Sequence, residues 1–286
     1  MAAVTAALIK ELRDKTQAGM VDCKNALTEC DGDLDKAVEF LRKKGLASAN
    51  KRMDRVAKEG LVVIESADAG KTVYMIQVNC ETDFVAKNDD FKKLVGDILA
   101  ETKKTGKDSF QKDEALPATI DELLKGQIAR TGENTQLGGF IKLSKTTPGI
   151  LSTYVHLNNK IGVIAELTTS KDLGHSDVLE QLGKDICMQA AAMNPQYLNP
   201  TEIPEDIKNK EREIYREQLK DMKKPAPVLD KIIEGKLSKF YSEVCLTDQE
   251  FIKEGGKKIS DLIAEKGKAL GAEITLARFV RFQIGA

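Results

Sequence analysis

The chain has 286 residues, 41% hydrophobic and 31% charged, which suits a folded protein of one large or two to three small domains. Its 44 basic and 45 acidic side chains leave a net charge of −1, so no overall positive field gathers nucleic acid or anionic lipid. No apolar run approaches the ~18 residues needed to span a bilayer, and Lys10, Glu11, Arg13 and Asp14 interrupt the N-terminal segment too early for an export signal.

Five scattered cysteines without a CxxC pair fit a reducing compartment, and with only His156 and His175 available a zinc site is not expected. Together these readings predict a cytoplasmic protein without metal, cofactor or membrane contact. The local basic clusters Lys43–Lys44 and Lys51–Arg52 read as solvated helix faces.

Residues 5 to 15 place Leu8, Ile9 and Leu12 at helical spacing. Gly19 permits a turn into a second helix, 20 to 29, with Cys23, Ala26 and Leu27 on one side. Asp31, Gly32 and Asp33 break it. Asp33 can cap a third helix carrying Leu34, Ala37, Val38 and Leu41, which Gly45 can close. Residues 47 to 58 form a helical or flexible connector to the next unit.

GLVVIESADAGKTVYMIQVNC is two β-rich runs around a turn, a hairpin signal. A helix follows with Phe91, Leu94, Val95, Ile98 and Leu99 on its apolar face. Between hairpin and helix lies CETDFVAKND, where Phe84 is either a staple at the helix start or a side chain pointing outward to a partner. Residues 104 to 120 read as a loop or short turns and 120 to 130 as a helix burying Leu123, Leu124 and Ile128. GENTQLGGFIKLS turns back into a strand.

The pattern then recurs. GILSTYVHLNNKIGVIAEL is again run, turn, run, and a helix from 176 to 193 carries Leu179, Leu182, Ile186 and Ala190. Two such units about 88 residues apart predict a duplicated α+β core. After a proline-rich segment, helices over 205–222 and 228–240 predict an αα-hairpin, with a stripe through Ile207, Ile214, Leu219 and Met222 and a break at Lys-Lys-Pro-Ala-Pro. Residues 240–247 and a final strand with alternating Val280, Phe282 and Ile284 are expected to complete the second sheet, after a helix in KKISDLIAEKGKAL.

No phosphate-binding GxxxxGK[ST] loop, GxGxxG fingerprint or GxSxG elbow occurs, and no carboxylate pair is marked for acid–base work. The chain therefore reads as a binding protein, not an enzyme, with no catalytic residues. The alternative class is a nucleic-acid surface built on Tyr154 and His156, which share a strand face. The absence of tryptophan and the neutral charge balance oppose it.

Several segments resemble the bacterial elongation factor Ts family: TQAGMVDCKNAL at 16–27, VNCETDFVAKND at 78–89, GENTQLGGF at 132–140, STYVHLNNKIGV at 152–163 and RFVRFQIG at 278–285. Gln17 stands where that family usually has Gly or Ser. The resemblance implies an α+β, multidomain fold. Residues 1–54 would be a three-helix ubiquitin-associated-like domain and linker, and 55–140 a first core subdomain. Residues 141–199 and 240–286 would form the second, with 200–239 an inserted antiparallel coiled-coil hairpin.

It further implies a guanine nucleotide exchange factor that binds elongation factor Tu in its GDP-bound and nucleotide-free states and disturbs the partner's magnesium and phosphate site. Thr82, Asp83, Phe84, Val85 and His156 would make that contact, with Phe84 as a wedge. Arg13, Met20, Val21 and Lys24 would serve the N-terminal domain near the guanine-base end, and the second subdomain would touch partner domain three. Leu157-Asn158-Asn159 departs from a family turn that often has Gly after the histidine. Some relatives continue past the RFVRFQIG strand with another helix, so ending at Ala286 implies a smaller interface here. A homodimer through the hairpin is a further expectation from relatives.

Overall fold

The computed structural model describes residues 4–16, 18–222 and 225–286. Gln17, the departure from the family segment, and Lys223–Lys224 of the expected helix break lie outside the described residues. Three helices come first: α1 (Ala6–Thr16), α2 (Met20–Glu29) and α3 (Leu34–Asn50). They enclose Leu12, Cys23, Ala26, Leu27 and Ala37, with Leu8, Ile9, Val38 and Leu41 packed around them. The turn into α3 uses left-handed backbone at Asp31 and Gly32. The Asp33 carboxylate then accepts the Lys36 N–H at 3.0 Å, an N-cap that satisfies one orphan donor.

Gly45 does not end this helix, as the sequence suggested, because α3 runs on to Asn50. A Cβ there would lie 2.7 Å from the Ala129 Cβ. The glycine is a notch that lets α3 press against α6 (Ala118–Thr131).

The core holds two sheets. In the first, β1 (Glu59–Ala67) and β2 (Thr72–Cys80) form a hairpin in register from Glu59 opposite Cys80 to Ala67 opposite Thr72. β4 (Thr135–Ser144) pairs with the far edge of β2, and the two-residue β3 (Ser109–Phe110) pairs with β4. In the second, β5 (Gly149–His156) and β6 (Ile161–Thr169) form the hairpin, and β7 (Ile274–Gln283) takes the far edge of β6.

Both units therefore run from a hairpin through helices to a late strand that pairs beside the hairpin. In each the second strand of the hairpin is internal and pairs with the late strand, β4 or β7; β7 is the edge of its sheet, whereas β3 adds an edge outside β4. One backbone device also repeats. Gly60 and Gly149 open β1 and β5 with φ of 140° and 136°. A Cβ at either would lie about 2 Å from the Val78 or Leu167 carbonyl oxygen across the ladder. Only glycine fits there.

Helices cover the outer faces. On the first sheet, α4 (Asp83–Lys87), α5 (Asp89–Lys104) and α6 bury Phe91, Leu94, Val95, Ile98, Ile120 and Leu124 against Ile76, Val78 and Phe140. On the second, α7 (Asp177–Met193) and α10 (Ile259–Leu270) bury Leu179, Leu182, Ile186, Leu262 and Ile263 against Val163, Ala165 and Leu167. The inner faces meet each other. Val62, Val73, Met75 and Leu143 pack against Ile164 and Ile284, with Val280 and Phe282 alongside. The core is thus four layers, helices–sheet–sheet–helices, with β2 and β6 in apolar surroundings on both sides.

The arms α8 (Glu205–Leu219) and α9 (Ala226–Val244) form the αα-hairpin. Its seam is Leu219, Ile233 and Leu237, with Tyr215, Leu229, Ile232 and Tyr241 beside them. The expected stripe is corrected here: Ile214 and Met222 are exposed. Tyr215 and Leu219, four apart, face the partner arm instead.

Residues 240–247 are a second correction. They finish α9 and enter a short 3-10 turn, leaving one isolated parallel bridge between Tyr197 and Cys245. Tyr241 continues the helical seam from Leu237, and that packing overrides the local β preference of Phe240, Tyr241 and Val244. Residues 104–120 also hold more than loop, since β3 buries Phe110 completely.

All five thiols are free. Burial pushes Cys80, Cys187 and Cys245 up to about 12, Cys23 is also buried, and Cys30 alone is partly exposed. A thiolate is the reactive form. An aromatic disulfide reagent should therefore titrate about one thiol rapidly in the native protein, and all five after denaturation. Rapid native labelling of Cys80 or Cys187, located by peptide mapping, would contradict the packing described.

Candidate functional site

The chain leaves β2 at Cys80 and turns within two residues into α4. The Thr82 hydroxyl caps this helix, accepting the Val85 N–H at 3.4 Å. Ala86 is the buried anchor, and Val85 packs partly on the first-sheet core. That geometry answers the question posed by CETDFVAKND. Ala86 holds the turn down, and Phe84 is turned out with 82% of its surface exposed, more than any other large hydrophobic side chain among the described residues. The helix after it needs no help from Phe84, because Asn88 caps α5 through the Asp90 N–H at 2.9 Å and Phe91 is buried.

Asp83, beside Phe84, accepts from the Lys87 ammonium at 2.5 Å. That hydrogen bond holds the Asp83 carboxyl below its ordinary range and raises Lys87. Lys160 adds a further lowering influence on Asp83. Lys160 belongs to the β5–β6 turn and pairs with Glu59 at the start of β1, so α4 and that turn lie on one side of the molecule.

His156 ends β5 half-exposed. Its Nδ1 is 2.9 Å from the Tyr154 hydroxyl, and the two rings stack at 5.6 Å. The turn that follows is three consecutive left-handed residues, Leu157, Asn158 and Asn159. Asn159 docks it on β1: its Nδ2 donates to the Val62 carbonyl at 3.0 Å and its own carbonyl accepts the Val62 N–H at 2.7 Å. Leu157 is 61% exposed.

Arg13, Met20, Val21 and Lys24 are all exposed, on α1 and the adjoining face of α2. Met20 and Val21 are apolar and stand 59% and 72% open to solvent. They form a second patch, carried by the three-helix unit and not by the core.

Three further side chains matter that the sequence reading did not single out. Glu133 binds Thr82 twice, accepting its N–H at 3.0 Å and its hydroxyl at 2.7 Å. Glu81 accepts the Asn134 N–H at 2.6 Å, and Glu59 pairs with Lys160. The only sequence signal for Glu133 and Asn134 was their place in GENTQLGGF. Among the described residues no group of three or more His, Cys, Asp or Glu could hold a metal ion, and no helix is long and apolar enough to cross a membrane.

Fold and site together define a class: a mixed helix-and-sheet protein that offers apolar side chains to solvent from braced turns, the features of a protein-binding surface. The family model described as "Elongation factor TS" matches residues 81–286. Proteins named "Elongation factor Ts" are similar along nearly the whole chain. The one from Clostridium novyi is 44% identical over 290 residues, covering 99% of this chain and 93% of its own. That from Desulfovibrio desulfuricans is 43% identical with full coverage of both. That from Nitratiruptor is 41% identical, covering 99% and 93%. The chain belongs to the elongation factor Ts family, translation elongation factors of protein biosynthesis.

Proposed function

We propose that the protein is a guanine nucleotide exchange factor for elongation factor Tu, acting in the cytoplasm. It binds the GDP form, disturbs the magnesium and phosphate site, and releases GDP so that GTP can enter. The observation that carries this reading is Phe84, exposed on a short helix whose other apolar residues, Val85 and Ala86, pack inward. Asp83 lies beside it, and Val85 and Thr82 set its direction from behind. His156 stands on the same side of the molecule. Arg13, Met20, Val21 and Lys24 supply a second contact.

The mechanism follows from linkage. If the factor and GDP–magnesium each weaken the other's hold on the GTPase, they do so by the same factor. Magnesium demands near-octahedral geometry, so a small displacement of its ligands by an inserted ring is costly. No covalent step is required of this chain. In the proposal residues 1–54 are a ubiquitin-associated-like docking unit, 55–140 and 141–199 with 240–286 are the two core subdomains, and 200–239 is an inserted arm. Ile214, Met222 and Val228, exposed on and beside that arm, would be the contacts of a hairpin-mediated dimer. A doubled mass in sedimentation would show it.

The deciding experiment is stopped-flow release of a fluorescent GDP from elongation factor Tu. Substoichiometric protein should accelerate release in proportion to its concentration. A rate that stays flat across that range rejects the proposal.

A further inference from the structure

We infer that Glu133 is a positioning residue for Phe84, an inference that rests on the exchange-factor reading above. Phe84 itself has no internal packing to fix it, since it is almost fully exposed. Its direction must come from the backbone of α4, and a five-residue helix is too short to hold itself. At its start it is anchored by Thr82, whose N–H and hydroxyl both donate to the Glu133 carboxylate while its Oγ1 accepts the Val85 N–H. Charge-assisted hydrogen bonds of this two-pronged kind fix direction as well as distance.

Glu133 is itself held stiffly. Gly132 before it closes α6 in the left-handed conformation. Asn134 after it is 1% exposed. The Asn134 side-chain amide donates to the carbonyls of Met53 at 2.9 Å and Arg55 at 2.6 Å, and its backbone N–H reaches Glu81, which also faces Arg55 at 3.6 Å. Residues 81–82, 133–134 and the 53–55 linker therefore form one network. It joins the base of the Phe84 helix to the segment that leads from the three-helix unit. Through its two bonds to Thr82, at the base of the Phe84 helix, Glu133 acts on exchange by way of Phe84.

The test has two readouts on the full-length protein. Amide hydrogen exchange of the free protein reads the Thr82 N–H, and stopped-flow GDP release reads function. Glu133→Ala should speed exchange at the Thr82 amide by about tenfold or more and lower GDP-release efficiency by about tenfold. Glu133→Gln keeps one acceptor for that N–H and should recover most of both. In a Phe84→Ala background, Glu133→Ala should change release efficiency by less than about twofold, because the group it positions is already gone.

Unchanged Thr82 protection in Glu133→Ala overturns the inference. So does lost protection with wild-type release, or a full additive loss on top of Phe84→Ala. If Glu133→Ala does not fold, Glu133→Asp, which keeps the charge but shortens the reach to Thr82, takes its place in both readouts, with the same outcomes deciding. Should the wild-type protein fail to accelerate release at all, the exchange-factor reading falls, while the amide readout still reports separately on the Thr82–Glu133 contact.

Discussion

Phe84→Ala should leave the melting temperature of the free protein nearly unchanged and reduce GDP-release efficiency roughly 10- to 150-fold. A phenylalanine truncated in a packed core typically costs ~3–5 kcal/mol, but this ring is 82% exposed and its removal opens no cavity. In a complex the same ring would bury apolar area worth ~1.5–3 kcal/mol, and ~1.4 kcal/mol is a factor of ten. The two effects separate in a thermal melt and a release assay on the same sample. A large drop in stability with normal release per folded molecule would show that the ring is structural in solution.

The second large effect concerns the three-helix unit. A chain beginning at residue 52 should lose the helical signal of α1–α3 but keep the circular dichroism of the remaining helices and strands and a cooperative melt, yet bind elongation factor Tu ~10- to 100-fold more weakly, on the scale of losing a few well-buried apolar anchors. The starting point matters. Residues 53 and 55 lend their carbonyls to Asn134, so a cut at residue 56 would remove partners from a buried amide, which costs more than the contacts themselves suggest. Calorimetry measures the affinity. Undiminished binding by the shortened chain would remove Met20 and Val21 from the interface.

Much of this architecture is legible in the sequence because its internal strands β2 and β6 are buried on both faces. The runs GLVVI, TVYMIQV and IGVIAEL show no clean alternation, and the four-layer core explains why: β2 and β6 lie between helices on one side and the opposing sheet on the other. The helical stripes of α5 and α7 are equally plain. What was missed is short or long-range. α4 has five residues and β3 two, too few to show any period.

Gly45 has the composition of a stop, and only the approach of Ala129 makes it a packing notch. Phe240, Tyr241 and Val244 favour a strand locally, and only the facing arm at Leu219 and Tyr215 makes them helical. The site divides in the same way. Phe84 stood out as an apolar residue just beyond a strand end, but Glu133 meets Thr82 across 51 residues of chain, a separation no local pattern encodes.

The position of β6 has a consequence for synthesis. Its first partner, β5, precedes it by a tight turn. Its second, β7, begins only at Ile274, roughly a hundred residues after β6 ends at Thr169. At about 5–20 residues per second, a ribosome needs on the order of 5–20 seconds to supply it. Through that interval the emerging chain holds an apolar strand with one unpaired edge, the kind of template that recruits other nascent chains. The helical hairpin made in the meantime cannot cover it, because its own seam is filled by its own two arms. The half-built second sheet should therefore be the stage at which this protein depends most on trigger-type holding chaperones. Stalled chains ending near residue 260 should aggregate more readily than chains ending near residue 145.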